Sequence, residues 1–216
     1  MNNRKFTLLA LALCLLLAGC GMPDNKKEEE KGKEYPDRAM YELKGKVKSV
    51  KAIVNNSGVD EPSYELAFDE NGKCTKHMLD GTWDEDEEHL YSIARNDKNR
   101  ITAYTATGKE SKKKKTEVHY NYDGNGRITS VNSMWYEESL VTESFEYNDN
   151  GDRSRYSIEV LDYNYRAKET INYRYRGFDD KGNWTAREGL RIVENENKEI
   201  ISENIFVEKR EIEYYE

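Results

Sequence analysis

The sequence has few cysteines, few histidines and no long apolar run beyond its start, and each shortage excludes a class of protein. Three cysteines in 216 residues cannot build a disulfide framework. The three histidines, His77, His89 and His119, are not spaced as metal ligands and have no cysteine pair beside them. Past residue 19, no apolar run approaches the roughly 20 residues that a membrane-spanning helix needs. We therefore expect neither a metal nor another cofactor, and no transmembrane helix in the body of the chain.

Basic residues are too few for a nucleic-acid partner. The chain has 34 Lys and Arg, and loss of residues 1–19 removes Arg4 and Lys5, leaving 32 basic against 42 acidic residues and a net charge of −10. Binding to a nucleic-acid backbone depends on basic patches. The chain does contain 16 tyrosines, which bury a ring while the hydroxyl stays in water. Together with 35% charged residues, they indicate a thin β-sheet with a lean core.

The start of the chain has the pattern of an exported lipoprotein. Arg4 and Lys5 precede an apolar run over residues 6–17, which has the length and flanks of a secretory signal peptide. The run ends on Leu17-Ala18-Gly19-Cys20, which resembles the box at which bacterial lipoproteins are cut and acylated. We therefore predict a signal peptide over residues 1–19 and lipid attachment at Cys20. The alternative is an ordinary signal peptide followed by a chance cysteine.

Lipid on Cys20 would anchor the protein to a membrane without spanning it. Gly21 stands where an aspartate would resemble an inner-membrane retention mark, so the analogy favours the outer membrane, at the cell surface or on the periplasmic face. The charged segment 24–31 contains no apolar residue and is predicted to be a flexible tether. Its acidic residues also resemble surface-export signals of Bacteroidota lipoproteins. We assign residues 20–41 to the lipidated cysteine and this tether.

A repeat of about 27 residues organises the remaining chain, residues 42–216. Turn-like segments place Gly, or once Asn, at positions 45, 72, 99, 126, 151 and 182. The last five segments begin with Asp or Asn, which caps the amides of a type I turn, and end on a residue that tolerates positive φ. Such a turn joins two antiparallel strands through a bulge. The segments are Asp69-Glu70-Asn71-Gly72, Asn96-Asp97-Lys98-Asn99, Asp123-Gly124-Asn125-Gly126, Asn148-Asp149-Asn150-Gly151 and Asp179-Asp180-Lys181-Gly182.

The flanks of these turns alternate apolar and polar residues, as strands with one buried face do. An aromatic residue stands immediately before four of the turns, with Arg95 as the exception, and an apolar residue follows the Gly or Asn by two positions, with Arg153 as the exception. Each repeat is thus one hairpin and a return loop. The sequence predicts an all-β fold in which serial antiparallel β-hairpins form an open, curved meander sheet.

At this point the chain resembles the YD-repeat (RHS-type) family found in Bacteroidota lipoproteins. The likeness is carried by Tyr122-Asp123-Gly124-Asn125-Gly126-Arg127-Ile128-Thr129 and by Phe178-Asp179-Asp180-Lys181-Gly182-Asn183-Trp184-Thr185. The opening segment 43–48 and the closing segment 210–215 are similar to the ends of such proteins. Large members form β shells around a toxin, but this chain has too few repeats to enclose one. The resemblance implies an open curved sheet here.

The candidate partner-binding edge lies opposite the regular turns, where the repeats differ in sequence and length. Trp83, Trp135 and Tyr136 fall near this edge, and variable loops often form the binding side of a repeat fold. Their rings would stack on a sugar or a protein, or else cover the end of the sheet. The acidic run 84–88 and the basic run 112–115 fall at the same edge and are best interpreted as solvated loops.

Other candidates have simpler structural explanations. Cys74 shares its repeat position with Val47 and Ile101, so a buried small apolar residue explains it better than a reactive thiol. With Cys14 removed and Cys20 acylated, Cys74 would have no cysteine to pair with, and we expect no intramolecular disulfide. The turn segments lack the acidic ladder and closing Glu of a calcium loop.

The absence of a catalytic motif favours a non-catalytic binding or scaffold lipoprotein for a glycan or protein ligand, and not an enzyme. A polysaccharide hydrolase with an Asp/Glu pair is the first alternative. Such enzymes need two carboxyl groups about 5–10 Å apart in a cleft, and the sequence shows no acid in an apolar context that would raise its pKa. A structural component of an envelope assembly is the second alternative.

Overall fold

The computed structural model describes residues 35–56, 58–79, 89–108, 114–135, 139–162 and 165–216. In these ranges the chain forms one single-turn helix, α1 (Asp37–Met40), and no helix is long and apolar enough to cross a membrane. The strands are β1 (Val47–Asn56), β2 (Val59–Phe68), β3 (Cys74–Leu79), β4 (His89–Arg95), β5 (Ile101–Gly108), β6 (Lys114–Tyr122), β7 (Ile128–Trp135), β8 (Ser139–Tyr147), β9 (Arg153–Asp162), β10 (Tyr165–Phe178), β11 (Trp184–Glu194) and β12 (Ile200–Tyr214).

All twelve strands belong to one antiparallel sheet, in the order β3-β2-β1-β12-β11-β10-β9-β8-β7-β6-β5-β4. From β4 to β12 each strand pairs with its neighbours in the chain, as serial hairpins do. The predicted all-β fold, an open meander of antiparallel hairpins, is confirmed. The first strand also pairs with the last, from Val47 opposite Tyr214 to Asn56 opposite Phe206. The two sheet edges are therefore β3 and β4, which are consecutive in the chain.

The sheet has two different ends. The turn end carries the regular four-residue turns, which connect β2 to β3, β4 to β5, β6 to β7, β8 to β9 and β10 to β11. The far end carries the remaining connections, from β1–β2 to β11–β12. The chain enters β1 and leaves β12 at the turn end, because Val47 lies opposite Tyr214.

Each predicted turn has the expected geometry. In the first, Gly72 donates its N–H to Asp69 O at 3.0 Å and the Asp69 carboxylate accepts the N–H of Lys73 at 2.9 Å. The ladder shifts register at the adjoining residues, as a bulge requires. The fourth residues all have φ between 57° and 90°, where Gly and Asn are tolerated. They are Gly72, Asn99, Gly126, Gly151 and Gly182.

A further turn of this type, at the far end, is not apparent from the sequence. Lys198 donates its N–H to Asn195 O at 3.0 Å, and the Asn195 side chain accepts the N–H groups of Asn197 and Glu199. Lys198 has φ of 63°. A search for Gly or Asn at the fourth position misses it because a lysine occupies the left-handed conformation.

Tyrosine hydroxyl groups join consecutive hairpins at the turn end. Tyr122 donates its hydroxyl proton to Ile101 O, and Tyr147 donates to Ile128 O, both at 2.7 Å. The guanidinium of Arg127 lies 4.6 Å from the centre of the Tyr147 ring. The tyrosines that precede the β6–β7 and β8–β9 turns therefore each satisfy a carbonyl of the preceding repeat.

One core lies on the inner face of the sheet. Buried apolar side chains from the edge strands and from the central strands belong to a single cluster, so the sheet curves around them. Gly189 lies under the ring of Phe206, which a Cβ at 189 would overlap. The largest buried apolar side chains are Trp184, Tyr104, Tyr156, Leu66, Ile101, Ile158 and Ile171.

Two sequence-based expectations, on the extent of the tether and on the pairing of Cys74, differ from the structure. Residues 35–41, which we assigned to the tether, belong to the folded domain: Asp37 is 1% exposed, Met40 7% and Tyr41 4%. Cys74 is buried as expected, but it is disulfide-bonded, so the prediction that it stays unpaired is wrong. The cysteine to which it bonds lies outside the described residues, and the sequence offers Cys14 and Cys20.

Candidate functional site

The residues predicted for lipid attachment and for partner binding fall largely outside the described ranges. Cys20, Trp83 and Tyr136 are among the residues that are not described, while the backbone of Trp135 ends β7 at the far end, opposite Thr116 and Ser139. The predicted edge at the far end therefore remains a prediction. A cluster of buried charged and aromatic groups among the described residues lies elsewhere, on the inner face near the turn end.

The segment of residues 35–46, here called the strap, crosses the turn end. At its start, Asp37 joins the two edge strands of the sheet. Its carboxylate accepts two hydrogen bonds from Arg95, the last residue of β4, at 2.7 and 2.9 Å, and one from the N–H of Cys74, the first residue of β3, at 3.0 Å. The Tyr35 ring lies 4.8 Å from the guanidinium of Arg95. The strap thus holds together two edges that share no ladder of hydrogen bonds among the described residues.

Further along the strap, Glu42 enters a cluster of buried arginines. Its carboxylate accepts the backbone N–H of Arg153 at 2.8 Å and lies 3.4 Å from Nη1 of Arg187. Burial alone would raise the pKa of Glu42, but Arg153, Arg187 and Arg210 outweigh it and lower the pKa to about 2. Glu42 has φ of 58°, a conformation that costs a non-glycine residue about 1 kcal/mol or more. The ion pairs offset this cost.

The arginines of this cluster stack on aromatic rings. The guanidinium of Arg187 lies 3.9 Å from the centre of the Tyr173 ring and 4.0 Å from that of Trp184. Arg210 lies 3.5 Å from the same Trp184 ring, and its Nε donates to the Tyr64 hydroxyl. Stacking of this kind is worth about 2 kcal/mol when the cation is desolvated. It holds guanidinium groups in an apolar interior at fixed positions.

The end of the strap is bound to the turn between β10 and β11. Lys44 donates its N–H to the Asn183 side chain at 2.6 Å, and the Asn183 amide donates back to Lys44 O at 2.9 Å. The Lys44 ammonium donates to Gly182 O at 2.9 Å. Asn183 is fully buried, so this reciprocal pair is shielded from water and fixes the strap before it enters β1.

Two residues that break the sequence pattern around the turns contact the strap in the structure. Arg95 and Arg153 are the two exceptions to the apolar flanks of the turns. The Arg95 guanidinium pairs with Asp37 at 2.7 Å, and Nε of Arg153 lies 4.0 Å from the Glu42 carboxylate, which also accepts the Arg153 backbone N–H. Charged residues at repeat positions that should be apolar mark the places where another segment docks. The sequence alone does not show which acidic residues are their partners.

A buried carboxyl group lies on the inner face of β8. Glu143 has no exposed surface, its Oε2 accepts the hydroxyl of Tyr156 at 2.9 Å, and its Oε1 has no partner among the described residues. Burial raises the pKa of Glu143 to about 8. The expectation that no acidic residue lies in an apolar context that would raise its pKa is therefore wrong. The apolar neighbours come from the strands on either side, Val131 and Ile158.

Glu169 on β10 occupies the same cross-strand row as Glu143, with Ile158 between them. It is 3% exposed and pairs with Arg191 at 2.7 Å. Burial raises the pKa of Glu169 despite this pair. Two strand spacings in a sheet amount to about 10 Å, so the backbones of Glu143 and Glu169 lie about that far apart, with both residues in one row on the inner face.

The outer face carries exposed apolar side chains near the far end. Met134 lies opposite Leu140, and Leu140 opposite Leu161, so the three form one row across β7, β8 and β9 with exposures of 47%, 41% and 40%. Of the nine large apolar side chains exposed in the described part of the chain, eight lie in the far half of their strands and Phe178 lies at the turn end. The others in the far half are Ile53, Val59, Ile200, Ile201 and Ile205.

Two polar grooves adjoin this apolar row on the outer face. One, of about 250 Å³, is lined by hydroxyl and charged side chains that include Ser144, Ser157 and Arg155. The other, of about 340 Å³, lies between β9, β10 and the last turn and contains Arg166 and Glu194. Charges of both signs line each groove, and neither collects an excess of one sign. No group of three metal-ligating side chains comes together in the described ranges.

No family model matches the chain, and no curated protein matches it. Among solved structures, a porin-like protein from Bacteroides uniformis ATCC 8492 is 11% identical and is matched over 77% of this chain and 98% of that chain, with a TM-score of 0.31. A similarity of that degree does not place the chain in a family.

Proposed function

We propose that this protein is a lipid-anchored component of the cell envelope that acts as a non-catalytic binding or scaffold module. The observation that carries the proposal is the strap, which fixes the end of the tether at the turn end through Asp37, Glu42 and Lys44. An anchor at Cys20 then lies on the turn-end side of the domain, and the far end points away from the membrane.

The lengths support this orientation. Fifteen residues from Cys20 to Tyr35 span at most about 50 Å. The longest strand, β12, has 15 residues and is itself about 50 Å long. The tether would have to be fully extended along the sheet before the far end could approach the anchoring membrane. The loops near Trp83, Trp135 and Tyr136 and the exposed apolar row are therefore the surface offered to a partner.

The chemistry of the far end favours a protein partner over a glycan among the described residues. The large apolar side chains exposed there are aliphatic, as in the row Met134, Leu140 and Leu161, and apolar patches rimmed by polar groups mark protein interaction sites. A glycan would need aromatic rings, which the sequence supplies at Trp83, Trp135 and Tyr136. The YD-repeat likeness is part of the same proposal, because its turn motifs fit the observed hairpins.

Accessibility of inserted tags tests the location and the orientation together. A protease-cleavable tag after Lys113 marks the far end, and the same tag after Asn125 in the β6–β7 turn is the matched control at the turn end. We expect faster cleavage of the far-end tag on intact cells. Cleavage only after the outer membrane is permeabilised would assign the protein to the periplasm and favour the envelope-assembly alternative. Membrane attachment that persists in a Cys20→Ala variant would contradict the lipid anchor.

The raised pKa of Glu143 favours a second candidate function, a polysaccharide hydrolase with Glu143 and Glu169 as its carboxyl pair. Burial of both groups, at 0% and 3% exposure, opposes it because a saccharide cannot contact them. Release of reducing sugar from a panel of polysaccharides checks this candidate. Turnover that is lost in both Glu143→Gln and Glu169→Gln would establish the hydrolase and refute the non-catalytic proposal.

A further inference from the structure

The arginine cluster of the inner face contains one guanidinium without an ionic partner. Arg210 is 8% exposed, its Nε donates to the Tyr64 hydroxyl, and none of the described carboxylates lies within 4.0 Å of it. The hydroxyl is uncharged at neutral pH, because burial raises the pKa of Tyr64 to about 12. A buried charge without a compensating charge costs several kcal/mol, so this position calls for an explanation.

The charges of the cluster do not balance. Arg153, Arg187 and Arg210 supply three positive charges, and Glu42 and Glu208 supply two negative charges. Both carboxylates are committed to other arginines: Glu208 accepts the Nε of Arg187 at 2.7 Å, and Glu42 is bound by Arg153 and Arg187. One net positive charge therefore remains, and it lies at Arg210.

Two hydrogen-bond donors at this position have no acceptor. They are Nη1 of Arg210 and Nε1 of Trp184, each with less than 1 Å² of exposed surface and no partner among the described residues. Trp184 is 1% exposed, and its ring lies 3.5 Å from the Arg210 guanidinium. More than nine in ten buried polar groups in proteins have a partner, and an exception often marks a bound ion or water. A third buried donor of the cluster, Nε of Arg153, has no hydrogen-bond acceptor among the described residues but lies 4.0 Å from the Glu42 carboxylate. The two donors without a carboxylate nearby, Nη1 of Arg210 and Nε1 of Trp184, belong to one stacked pair.

We propose that the Arg210–Trp184 pair binds one small monovalent anion of about the size of chloride. A water molecule would accept the two N–H groups and leave the positive charge uncompensated. An anion accepts the same two hydrogen bonds and brings the charge of the cluster to zero. A halide and a small carboxylate such as formate share this chemistry. The site would tie β11 to β12 beneath the strap, and it stands independently of the proposed function.

Thermal unfolding of the full mature chain tests the site in solution. Chloride is varied at constant ionic strength against gluconate, which is too large for a buried site. We expect the midpoint to rise with chloride concentration, as it does when a ligand binds only the native state, and bromide to act in the same way. A formate series distinguishes a carboxylate site, which responds to formate and not to halides, from a halide site.

Substitutions assign the effect to the pair. Trp184→Phe keeps the stacked ring and removes one donor, and we expect it to weaken anion binding about tenfold, the equivalent of one hydrogen bond to a charged group. Arg210→Met should abolish the dependence on chloride. Arg155→Met is the matched control, because Arg155 pairs with Glu146 on the outer face with 42% of its side chain exposed, and it should leave the dependence unchanged.

Crystals grown with bromide locate the ion directly and do not depend on the folding of a variant. An anomalous peak within hydrogen-bond distance of Arg210 Nη1 and Trp184 Nε1 is the expected result. The proposal is wrong if stability is the same in chloride, formate and gluconate, or if chloride stabilises the protein and the bromide peak is absent from this pair. Retention of the chloride dependence by Arg210→Met would equally overturn it.

Discussion

Two carboxyl groups on the inner face respond to burial in opposite directions. Glu42 has three arginines near it, and its pKa falls to about 2; Glu143 has a tyrosine hydroxyl and apolar neighbours, and its pKa rises to about 8. Burial raises the pKa of both groups, so the charged partners decide whether the net shift of the pKa is upward or downward. Glu42 is therefore ionised in the native state at neutral pH, whereas Glu143 carries a proton.

The buried proton on Glu143 predicts that stability falls with rising pH. Between about pH 4.5 and 8 the unfolded chain has lost this proton and the native chain has kept it, so the contribution of Glu143 decreases by about 1.4 kcal/mol per pH unit. Glu143→Gln keeps the shape and cannot ionise. We expect this variant to match the wild type near pH 4.5 and to be more stable by a few kcal/mol at pH 8, in urea unfolding at several pH values.

Glu146 supplies the control for this measurement. It lies three residues further along β8 on the outer face, where 67% of its side chain is exposed beside Arg155. Glu146→Gln should change stability by less than about 1 kcal/mol, as exposed ion pairs do, and should leave the pH dependence as in the wild type. If Glu143→Gln and the wild type lose stability in parallel as the pH rises, the buried carboxyl is not the group responsible.

At the scale of elements, two glycine substitutions distinguish an effect on the strap from an effect on a regular turn alone. Gly72 and Gly151 have nearly the same φ, 90° and 84°, so alanine at either position costs about 1 kcal/mol of backbone strain. A Cβ at 72 would also overlap Tyr35 O in the strap, whereas a Cβ at 151 would contact Nη1 of Arg127 at an ordinary 3.8 Å. Gly72→Ala should therefore loosen the start of the strap, and Gly151→Ala should not.

The rate of trypsin cleavage after Arg38 measures how firmly the strap is held on the sheet. Arg38 donates from Nε to Val47 O at 2.8 Å and from Nη2 to Asp69 O at 2.6 Å, and these bonds hold its side chain away from a protease. We expect cleavage after Arg38 to be several times faster in Gly72→Ala than in Gly151→Ala, while the sheet of both variants stays resistant. Equal rates in the two variants would show that the strap does not depend on its contact with the β2–β3 turn.

How much of this architecture is predictable from sequence depends on how local the determinants are. The turns rest on four adjacent residues, so Asp69 and Gly72 are enough to predict the hairpin that they form. The pairing of β1 with β12 joins residues about 160 positions apart, and no short pattern encodes it. The turn at Asn195–Lys198 is not predicted because a lysine, and not Gly or Asn, has positive φ at its fourth position.

The site is less predictable than the sheet because its residues come together from distant parts of the sequence. Glu143 is one acidic residue among 42 in the chain, and only the curvature of the sheet buries it. Arg210 occupies a position in β12 that alternates like its neighbours. That no carboxylate of the described residues pairs with it becomes visible only when Glu42 and Glu208 are located. Arg95 and Arg153 did stand out in the sequence, as charged residues at apolar repeat positions.

At the scale of the whole molecule, the position of the strap relates the anchor to the exposed surface. Residues 35–46 bind the edges β3 and β4 and the turn between β10 and β11, so a force on the tether is spread over both edges and the middle of the sheet. The apolar side chains of the far half lie at the opposite end. A partner bound there and the membrane would hold the domain from its two ends.

The chemistry of Cys20 decides whether this whole-molecule arrangement exists in the cell. Acylation of the Cys20 Sγ and a disulfide bond between Cys20 and Cys74 exclude each other, and Cys14 lies in the predicted signal peptide. From the proposed lipid anchor we predict a diacylated Cys20 peptide by mass spectrometry in the protein purified from membranes and denatured without reductant, with no disulfide bond between that peptide and Cys74. Cys74→Ala should keep the lipid. A Cys74 that is alkylated only after reduction, together with a Cys20 peptide free of lipid, would instead tie the start of the chain to β3 by a disulfide bond and leave the domain without its anchor.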